Sequence, residues 1–150
     1  MKVVIGGDHA GFALKEKIIE KLEKDGVELI HIGSFTPDMV DFPDIAKKVC
    51  AMILDGSADR GIMVCGTGVG AAIGCNKIKG IRASVVHDAY TAHQCVEHDD
   101  VQVMAIGGQI IGDKLAFDLI DVFLAAKFSV EEEFRKRVRM LEEMDAKPED

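Results

Sequence analysis

The segment GIMVCGTGVGAAIGCNK, residues 61–77, joins a short apolar run to a glycine-rich stretch, with Cys65 at the junction. The apolar run 61–65 predicts a buried strand, and the glycines behind it predict a tight turn that opens a helix. A strand that leads through such a turn into a helix is the building unit of parallel α/β sheets. The loop has three interpretations: a phosphate cradle, a dinucleotide-binding turn, or the wall of an active site whose reactive group is Cys65.

The same unit recurs on both sides of this segment. Further apolar runs predict strands over 2–6, 27–33, 82–86 and 101–107. Amphipathic segments predict helices over about 11–25, around Ile45, Val49 and Ile53, over about 89–97 and near 113–126. In the first of these helices the lysine and glutamate residues are expected on the outer face. Strands that alternate with helices imply a parallel sheet covered on both faces. We therefore predict an α/β protein, a three-layer α/β/α sandwich with five strands, in which residues 1–150 form a single domain.

The last helical segment, 130–145, is mostly polar. Its apolar residues form one narrow stripe: Val130, Phe134, Val138 and Leu141. Acidic residues in the first turn and basic residues after them favour a helix through its macrodipole. We expect an extra C-terminal helix that either closes its own domain or reaches across to a second subunit, followed by a tail at 146–150.

Composition and charge argue against several classes of function. The 150 residues carry a formal net charge of −8, which disfavours nucleic acid or an anionic membrane as the main partner. No apolar run is long enough to span a bilayer, and the N-terminus turns polar too early for a signal peptide. The four cysteines show neither paired nor zinc-like spacing. We expect reduced thiols in a cytoplasmic protein, with no metal and no cofactor.

Polar residues of unusual type follow the predicted strands. Ligands of open parallel sheets bind beyond the carboxyl ends of the strands, so side chains at that edge are candidates for a site. To this edge we assign Asp8, His9, Asp41, Cys65, Thr67, His87, Asp88, His98 and Asp99. Simpler roles remain open for some of them, because Asp8 suits a cap of the first helix, and His87 with Asp88 suit a cap of the fourth.

Cys65 differs from the other cysteines in its setting. Cys50, Cys75 and Cys95 fall within predicted helices, where they suit packing as small hydrophobic side chains. Cys65 ends a strand and faces the backbone N–H groups of a glycine loop at a helix start, a setting typical of thiolate chemistry. A purely structural cysteine at a strand end is the alternative.

Two interpretations of the loop are binding motifs. A Walker A phosphate cradle is excluded, because the stretch lacks the required lysine and hydroxyl pair. The relaxed dinucleotide pattern G-x-G-x-x-A is satisfied by Gly66, Gly68 and Ala71. Asp88 follows at about the distance expected of a ribose-binding acid. Because glycine-rich turns between strand and helix are common, this signal is weak.

In the third interpretation the loop is an oxyanion site. Its amides would hold an enediolate oxygen while Cys65 moves a proton between adjacent carbons. Thr67 would supply a hydroxyl, and His98 would open a cyclic sugar by acid–base transfer. This set matches what aldose–ketose isomerisation through an enediol requires, and it needs no metal.

Four stretches, GGDHAGF, DFPDIA, CGTGVGAAIGCNKIKGIRA and EHDD…AIGG, together resemble the type B ribose-5-phosphate isomerases. That family also includes galactose-6-phosphate isomerase subunits and allose-phosphate isomerases, and the resemblance covers about residues 1–141. It implies a Rossmann-like fold, a sugar or sugar-phosphate substrate, and a homodimer, or a tetramer of dimers, with active sites shared between subunits. The terminal helix at 130–145 would then contribute across the dimer.

The resemblance also implies roles for individual residues. Cys65 would move the proton between C1 and C2, His98 would open the furanose ring, and Thr67 would assist. The substrate-binding residues would be Asp8, His9, Asp41, Gly66, Gly68, Gly70, Asn76, Asp99 and Arg137.

Several positions depart from the family pattern. Phe42 replaces a tyrosine, Asp99 an asparagine and Gln109 an arginine, while Glu133 and Phe134 stand where arginine and histidine would grip phosphate. A shifted alignment would instead place Arg135 and Arg139 at the arginine spacing. Loss of cations weakens the binding of a dianion, so an isomerase of a non-phosphorylated or uncommon sugar is the first alternative. A nucleotide- or sugar-binding module without catalysis is the second.

Overall fold

The computed structural model describes residues 1–146 and contains five strands and six helices. The strands are β1 (Lys2–Gly7), β2 (Glu28–His31), β3 (Arg60–Cys65), β4 (Ala83–Val85) and β5 (Val103–Gly107). The helices are α1 (Phe12–Lys24), α2 (Phe42–Leu54), α3 (Val69–Asn76), α4 (Ala89–Asp99), α5 (Asp113–Ala125) and α6 (Glu132–Asp145). No helix in this part of the chain is long and apolar enough to cross a membrane.

All strand pairs are parallel, and the order across the sheet is β2-β1-β3-β5-β4. The register pairs Cys65 with Gly107 at the carboxyl ends of β3 and β5, and Val103 with Ala83 at the amino ends of β5 and β4. The chain reverses direction across the sheet beside β3, which brings the loops after β1 and β3 together. In open α/β sheets such a reversal is where ligands bind.

Helices cover both faces of the sheet, so the prediction of a three-layer α/β/α sandwich is confirmed. One core lies between the sheet and α1, α4 and α5, and its large members include Ile18, Leu119 and Phe123. The other core lies between the sheet and α2 and α3, around Val49 and Met63. Strands β3 and β5 are buried on both faces, which explains their continuous apolar runs.

The predicted element boundaries were too wide at several ends. The second strand spans four residues instead of 27–33, and the fourth spans three instead of 82–86. Helix α6 begins two residues after the predicted start, so Val130 lies ahead of it and is 85% exposed. Val138 is buried, but Leu141 is 41% exposed, so the predicted stripe of α6 is only partly covered. Of the predicted tail at 146–150, residues 147–150 lie outside the described residues.

One charged residue predicted on the outer face of α1 is buried. The Lys15 side chain is fully covered, and its Nζ donates hydrogen bonds to Glu16 Oε1 at 2.7 Å and to His31 Nε2 at 2.8 Å. The ammonium also lies 4.9 Å from the centroid of the Phe12 ring. Because His31 accepts at Nε2, it is neutral in this arrangement. Burial and the neighbouring Lys15 charge lower the pKa of His31.

Two glycines allow β1 and the following turn to lie against the end of β3. A Cβ on Gly7 would lie 2.2 Å from the Val64 carbonyl oxygen, and one on Gly11 would lie 2.1 Å from the same atom. The Asp8 N–H donates to that oxygen at 3.2 Å. No side chain fits between these backbones, so the packing of β1 on β3 requires glycine at both positions.

We predict that Gly11→Ala lowers the free energy of unfolding by about 3 kcal/mol, because the methyl group meets backbone that cannot move aside. Gly74→Ala is the matched control, since a Cβ there meets its nearest atom at 3.5 Å and alanine is the better helix former. That variant should gain about 0.5 kcal/mol. Urea denaturation of both variants measures the difference, and equal stabilities would contradict the steric argument.

We further predict that His31 makes the protein less stable in acid. Its pKa is lower in the folded chain than in the unfolded chain, so the unfolded chain binds more protons below about pH 6.5. Stability is therefore complete above that pH and falls as the pH is lowered, with a contribution of up to about 1.4 kcal/mol per pH unit. In His31→Gln this contribution is lost, and denaturation curves from pH 8 to pH 5 should show a shallower slope. Parallel curves for the two proteins would contradict the assignment.

Candidate active site

The loop after β3 holds the Cys65 sulfur with a backbone amide. The Gly68 N–H donates to Cys65 Sγ at 3.1 Å, and the Val69 N–H donates to Thr67 Oγ1 at 3.3 Å. Gly68 has φ +84°, and a Cβ there would lie 3.2 Å from the Ala105 carbonyl oxygen, so this position requires glycine. The next two amides of α3, those of Gly70 and Ala71, have no preceding helical turn to donate to and remain available to a ligand.

The other three cysteines have the settings predicted for packing residues. All three are buried within helices. A hydrogen bond with Cys50, together with burial, raises the pKa of the Cys75 thiol. Burial raises the pKa of Cys95 to about 11. Neither Cys75 nor Cys95 is therefore disposed to form a thiolate near neutral pH.

The turn after β1 lies beside Cys65. Asp8 is 7% exposed, and its Oδ1 accepts from the N–H groups of Ala10 and Gly11 at 3.0 and 3.2 Å. The carboxylate thus stabilises the turn ahead of α1, which agrees with a capping role but does not exclude a ligand. His9 is exposed, and its Nδ1 accepts from the Val40 N–H at 3.4 Å. His9 therefore links this turn to the loop that follows β2.

The loop after β2 adds Asp41 and Phe42 to the same edge. Asp41 is exposed and immediately precedes α2, where its side chain makes no capping hydrogen bond. The Phe42 ring packs over the start of α3, because a Cβ on Gly70 would lie 2.8 Å from its Cζ. Gly70 therefore leaves room for an apolar ring beside the catalytic loop.

Two further residues reach this loop: Gln109, which stands where the family pattern has an arginine, and His87, which the sequence assigned to this edge without a specific role. The Gln109 N–H donates to the Gly66 carbonyl, and a Cβ on Gly66 would lie 3.0 Å from Gln109 Oε1. His87 Nε2 accepts from the Gly107 N–H at 2.9 Å, and burial lowers the pKa of His87. Both residues could have been predicted from the sequence by their position at the carboxyl edge, since Gln109 follows β5 and His87 follows β4.

Of the two roles considered for Asp88, a helix cap or a ribose-binding acid, the structure shows the helix cap. Its side chain accepts from the Thr91 N–H at 2.8 Å and caps α4. The carboxylate that the dinucleotide interpretation would direct at a ribose is thus occupied by the helix.

The placement of His98 and Asp99 at the carboxyl edge was wrong. Helix α4 starts at that edge and runs antiparallel to the strands, so its last residues lie at the opposite, amino edge. The Asp99 carbonyl accepts from Arg82 Nε at 2.8 Å, just ahead of β4. The five residues of β5 are separated by four rises of about 3.3 Å, so the two edges are about 13 Å apart. Within one chain, His98 is therefore remote from Cys65.

Asn76 lies at the amino edge for the same reason, at the end of α3. Its Nδ2 donates to the Ala83 carbonyl and its Oδ1 accepts from the Ala83 N–H, both at 2.8 Å. This amide pair fixes the start of β4 against α3. The side chain predicted to bind substrate therefore has a structural role in this chain.

Helix α6 brings a second group of predicted residues to His98. The Phe134 ring stacks on the His98 imidazole, with centroids 3.9 Å apart and planes inclined by 16°. The Arg137 guanidinium carbon lies 5.8 Å from the Phe134 centroid. Glu97 Oε2 lies 2.9 Å from His93 Nε2 and 4.0 Å from His98 Nε2. The amino edge thus carries an imidazole, an aromatic ring and a cation.

The chain therefore presents two incomplete groups of functional side chains. The carboxyl edge offers a thiol, a hydroxyl, a carboxylate, an imidazole and free amides, which suit proton transfer and the binding of an oxyanion. The amino edge offers an imidazole that can exchange protons, with a cation close by. Within residues 1–146, no three His, Cys, Asp or Glu side chains come together as metal ligands.

The chain matches the family model described as Ribose/Galactose Isomerase over residues 3–141. It is 40% identical to the Ribose-5-P isomerase B of Listeria innocua, over 98% of this chain and 99% of that protein. It is 39% identical to the D-erythrulose-4-phosphate isomerase 2 of Mycolicibacterium smegmatis, over 85% of this chain and 86% of that one. The solved structure of Clostridium thermocellum ribose-5-phosphate isomerase B superposes with a TM-score of 0.95 at 40% identity, covering 98% of this chain and 99% of that chain.

Proposed function

The chain belongs to the ribose/galactose isomerase family and is an aldose–ketose isomerase, and we propose that it converts a four- or five-carbon aldose phosphate into its ketose through an enediol, with Cys65 as the base. The observation that carries this assignment is the Gly68 N–H donating to Cys65 Sγ at 3.1 Å. A sulfur held this way lies beside the backbone amides that would bind an oxyanion of the substrate.

The proposed proton transfer uses only groups at the carboxyl edge. The Cys65 thiolate takes the proton from C2, the C–H electrons form the C1=C2 bond, and O1 becomes an oxyanion that accepts from the loop amides. A proton then passes from O2 to O1, the O2 electrons form the ketone, and the thiol returns its proton to C1. Asp8 and His9 hold the sugar hydroxyls, and Asp41 lies at the entrance. Gly66, Gly68 and Gly70 let the backbone approach the substrate.

A five-carbon aldose 5-phosphate enters as a furanose, so its ring must open first. The C1 hydroxyl loses its proton through Thr67 Oγ1 to solvent, and its electrons form the C1 carbonyl. The C1–O4 bond breaks as protonated His98 donates its proton to O4. His98 then regains a proton from solvent, so the enzyme ends the step with the same charge with which it began.

We propose that the His98 of each site comes from a second copy of the chain, because within one chain it lies at the edge remote from Cys65. Apolar side chains left exposed around the Cys65 loop support such a partner: Val69, Ile73, Tyr90 and Ile110 are between 51% and 73% exposed. Asp99 and Arg137 would arrive with His98. A homodimer with two shared sites is the smallest assembly that meets this requirement.

In this scheme the site favours a phosphorylated substrate over a neutral sugar. Arg137 lies on α6, the helix whose Phe134 stacks on His98, so the partner copy would bring one cation to the site. The amides of the α3 first turn would supply uncharged donors. Gln109, which lies over Gly66, donates only as a neutral amide. The names of the two relatives point to pentose and tetrose phosphates as the substrates to test first.

The assignment of Cys65 is tested by NMR of ribulose 5-phosphate and ribose 5-phosphate in heavy water. The wild type should exchange C1 or C2 protons for deuterium as it interconverts the two sugars. Cys65→Ala should lose turnover and exchange by at least about a hundredfold, since it removes the base. Cys95→Ala, the control, removes a buried thiol remote from the loop and should keep activity within a few-fold. Undiminished exchange in Cys65→Ala would contradict the proposal.

The shared site is tested with ribose 5-phosphate as substrate, by mixing two variants that are each inactive on this furanose, Cys65→Ala and His98→Gln. Random pairing makes half of the dimers mixed, and each mixed dimer has one complete site of two, so about a quarter of the wild-type activity should return. The activity is followed after co-refolding in equal amounts, with each variant refolded alone as the control. No recovery in the mixture, with dimers shown by light scattering, would contradict a site shared between copies.

A further inference from the structure

We propose that Phe134 is a positioning residue for ring opening, acting through His98, and that it sets how well this enzyme uses furanose substrates relative to open-chain ones. The inference rests on the proposed function, because it assigns His98 to the ring-opening step. Phe134 stands where the family pattern led us to expect a phosphate-binding histidine. A phenyl ring has no donor for a phosphate, so Phe134 must contribute in another way.

The contact between the two rings is close and nearly parallel. Their centroids lie 3.9 Å apart with an interplanar angle of 16°. A face-to-face contact of this kind holds the plane of the imidazole while leaving both ring nitrogens at its edge, free to exchange protons. Because the His98 side chain is 30% exposed, it would otherwise sample other rotamers.

Other neighbours of His98 do not fix its ring. The carboxylate of Glu97 is 4.0 Å from His98 Nε2, beyond hydrogen-bond distance, and is engaged by His93 at 2.9 Å. The imidazole thus depends on Phe134 for its orientation among the described residues. Removal of the aromatic ring leaves His98 chemically intact but free to turn.

The position of Phe134 is itself fixed by contacts between α6 and α4. The Ser129 N–H donates to the Glu97 carbonyl at 2.9 Å, which ties the chain ahead of α6 to the end of α4. Val138, one turn after Phe134, is the buried residue of α6. The helix therefore holds Phe134 against the last turn of α4, where His98 stands.

A loss of orientation at His98 should slow only the step that His98 serves. Ribose 5-phosphate closes to a furanose and requires ring opening. Ribulose 5-phosphate and erythrose 4-phosphate cannot form a furanose, because the oxygen that would close the ring carries the phosphate. Both open-chain sugars reach the Cys65 step without His98.

The test compares Phe134→Leu with the wild type on the two kinds of substrate. Conversion of ribose 5-phosphate should fall about 10- to 100-fold in kcat, as expected for a misplaced catalytic group. Turnover of erythrose 4-phosphate and deuterium exchange into C1 of ribulose 5-phosphate should stay within about twofold. Phe134→Tyr keeps the stacking ring and should restore conversion of ribose 5-phosphate. Phe128→Leu removes a neighbouring ring that packs on Arg135 and serves as the matched control.

A double variant shows whether Phe134 acts through His98. In a His98→Gln background, Phe134→Leu should cause no further loss on ribose 5-phosphate, because the group that it orients is absent. Equal losses on furanose and open-chain sugars, additive losses in the double variant, or full activity of Phe134→Leu would each overturn the inference. Full ribose 5-phosphate activity in His98→Gln would instead overturn the proposed function of His98.

Discussion

The contact between the turn after β1 and the end of β3 is the constraint on which the site depends. At this point the Val64 carbonyl accepts from the Asp8 N–H, and Gly11 comes so close that it can carry no side chain. The contact places a carboxylate and an imidazole beside a thiol that belongs to another strand. The two loops are far apart in sequence, so only the parallel register of β1 on β3 brings them together.

The same backbone constraint distinguishes Cys65 from the other thiols. Cys75 and Cys95 lie within helices, and the pKa of each is raised, by a hydrogen bond with another thiol and burial in one case and by burial in the other. Cys65 is also buried, but it ends a strand instead of lying within a helix. The left-handed Gly68 turns its N–H toward the Cys65 sulfur, so this thiol faces the loop at the carboxyl edge.

Most of the fold could be predicted from hydrophobic periodicity, because each strand and helix carries its own pattern. The order of the strands could not, since it depends on tertiary packing. Lys15 was predicted on the outer face because a lysine is rarely buried. Its ammonium is buried against His31 and the Phe12 ring, and the helical pattern of α1 does not reveal these contacts. The edge of His98 was predictable: a helix that starts where one strand ends must finish where the next begins. The stack of Phe134 on His98 was not, since nothing local relates α6 to α4.

The direction of α4 has a consequence for how the protein tolerates damage. In the proposed pair, the thiol and the ring-opening imidazole of one chain serve different sites, so a chain that loses either group still lends the other to its partner. A cell that makes two differently damaged copies would keep some activity, while two copies with the same lesion would have none. Whether a defect shows would then depend on which two subunits pair, and not only on how many chains are intact. Two defective alleles could complement each other because α4 carries His98 to the edge of the sheet opposite Cys65.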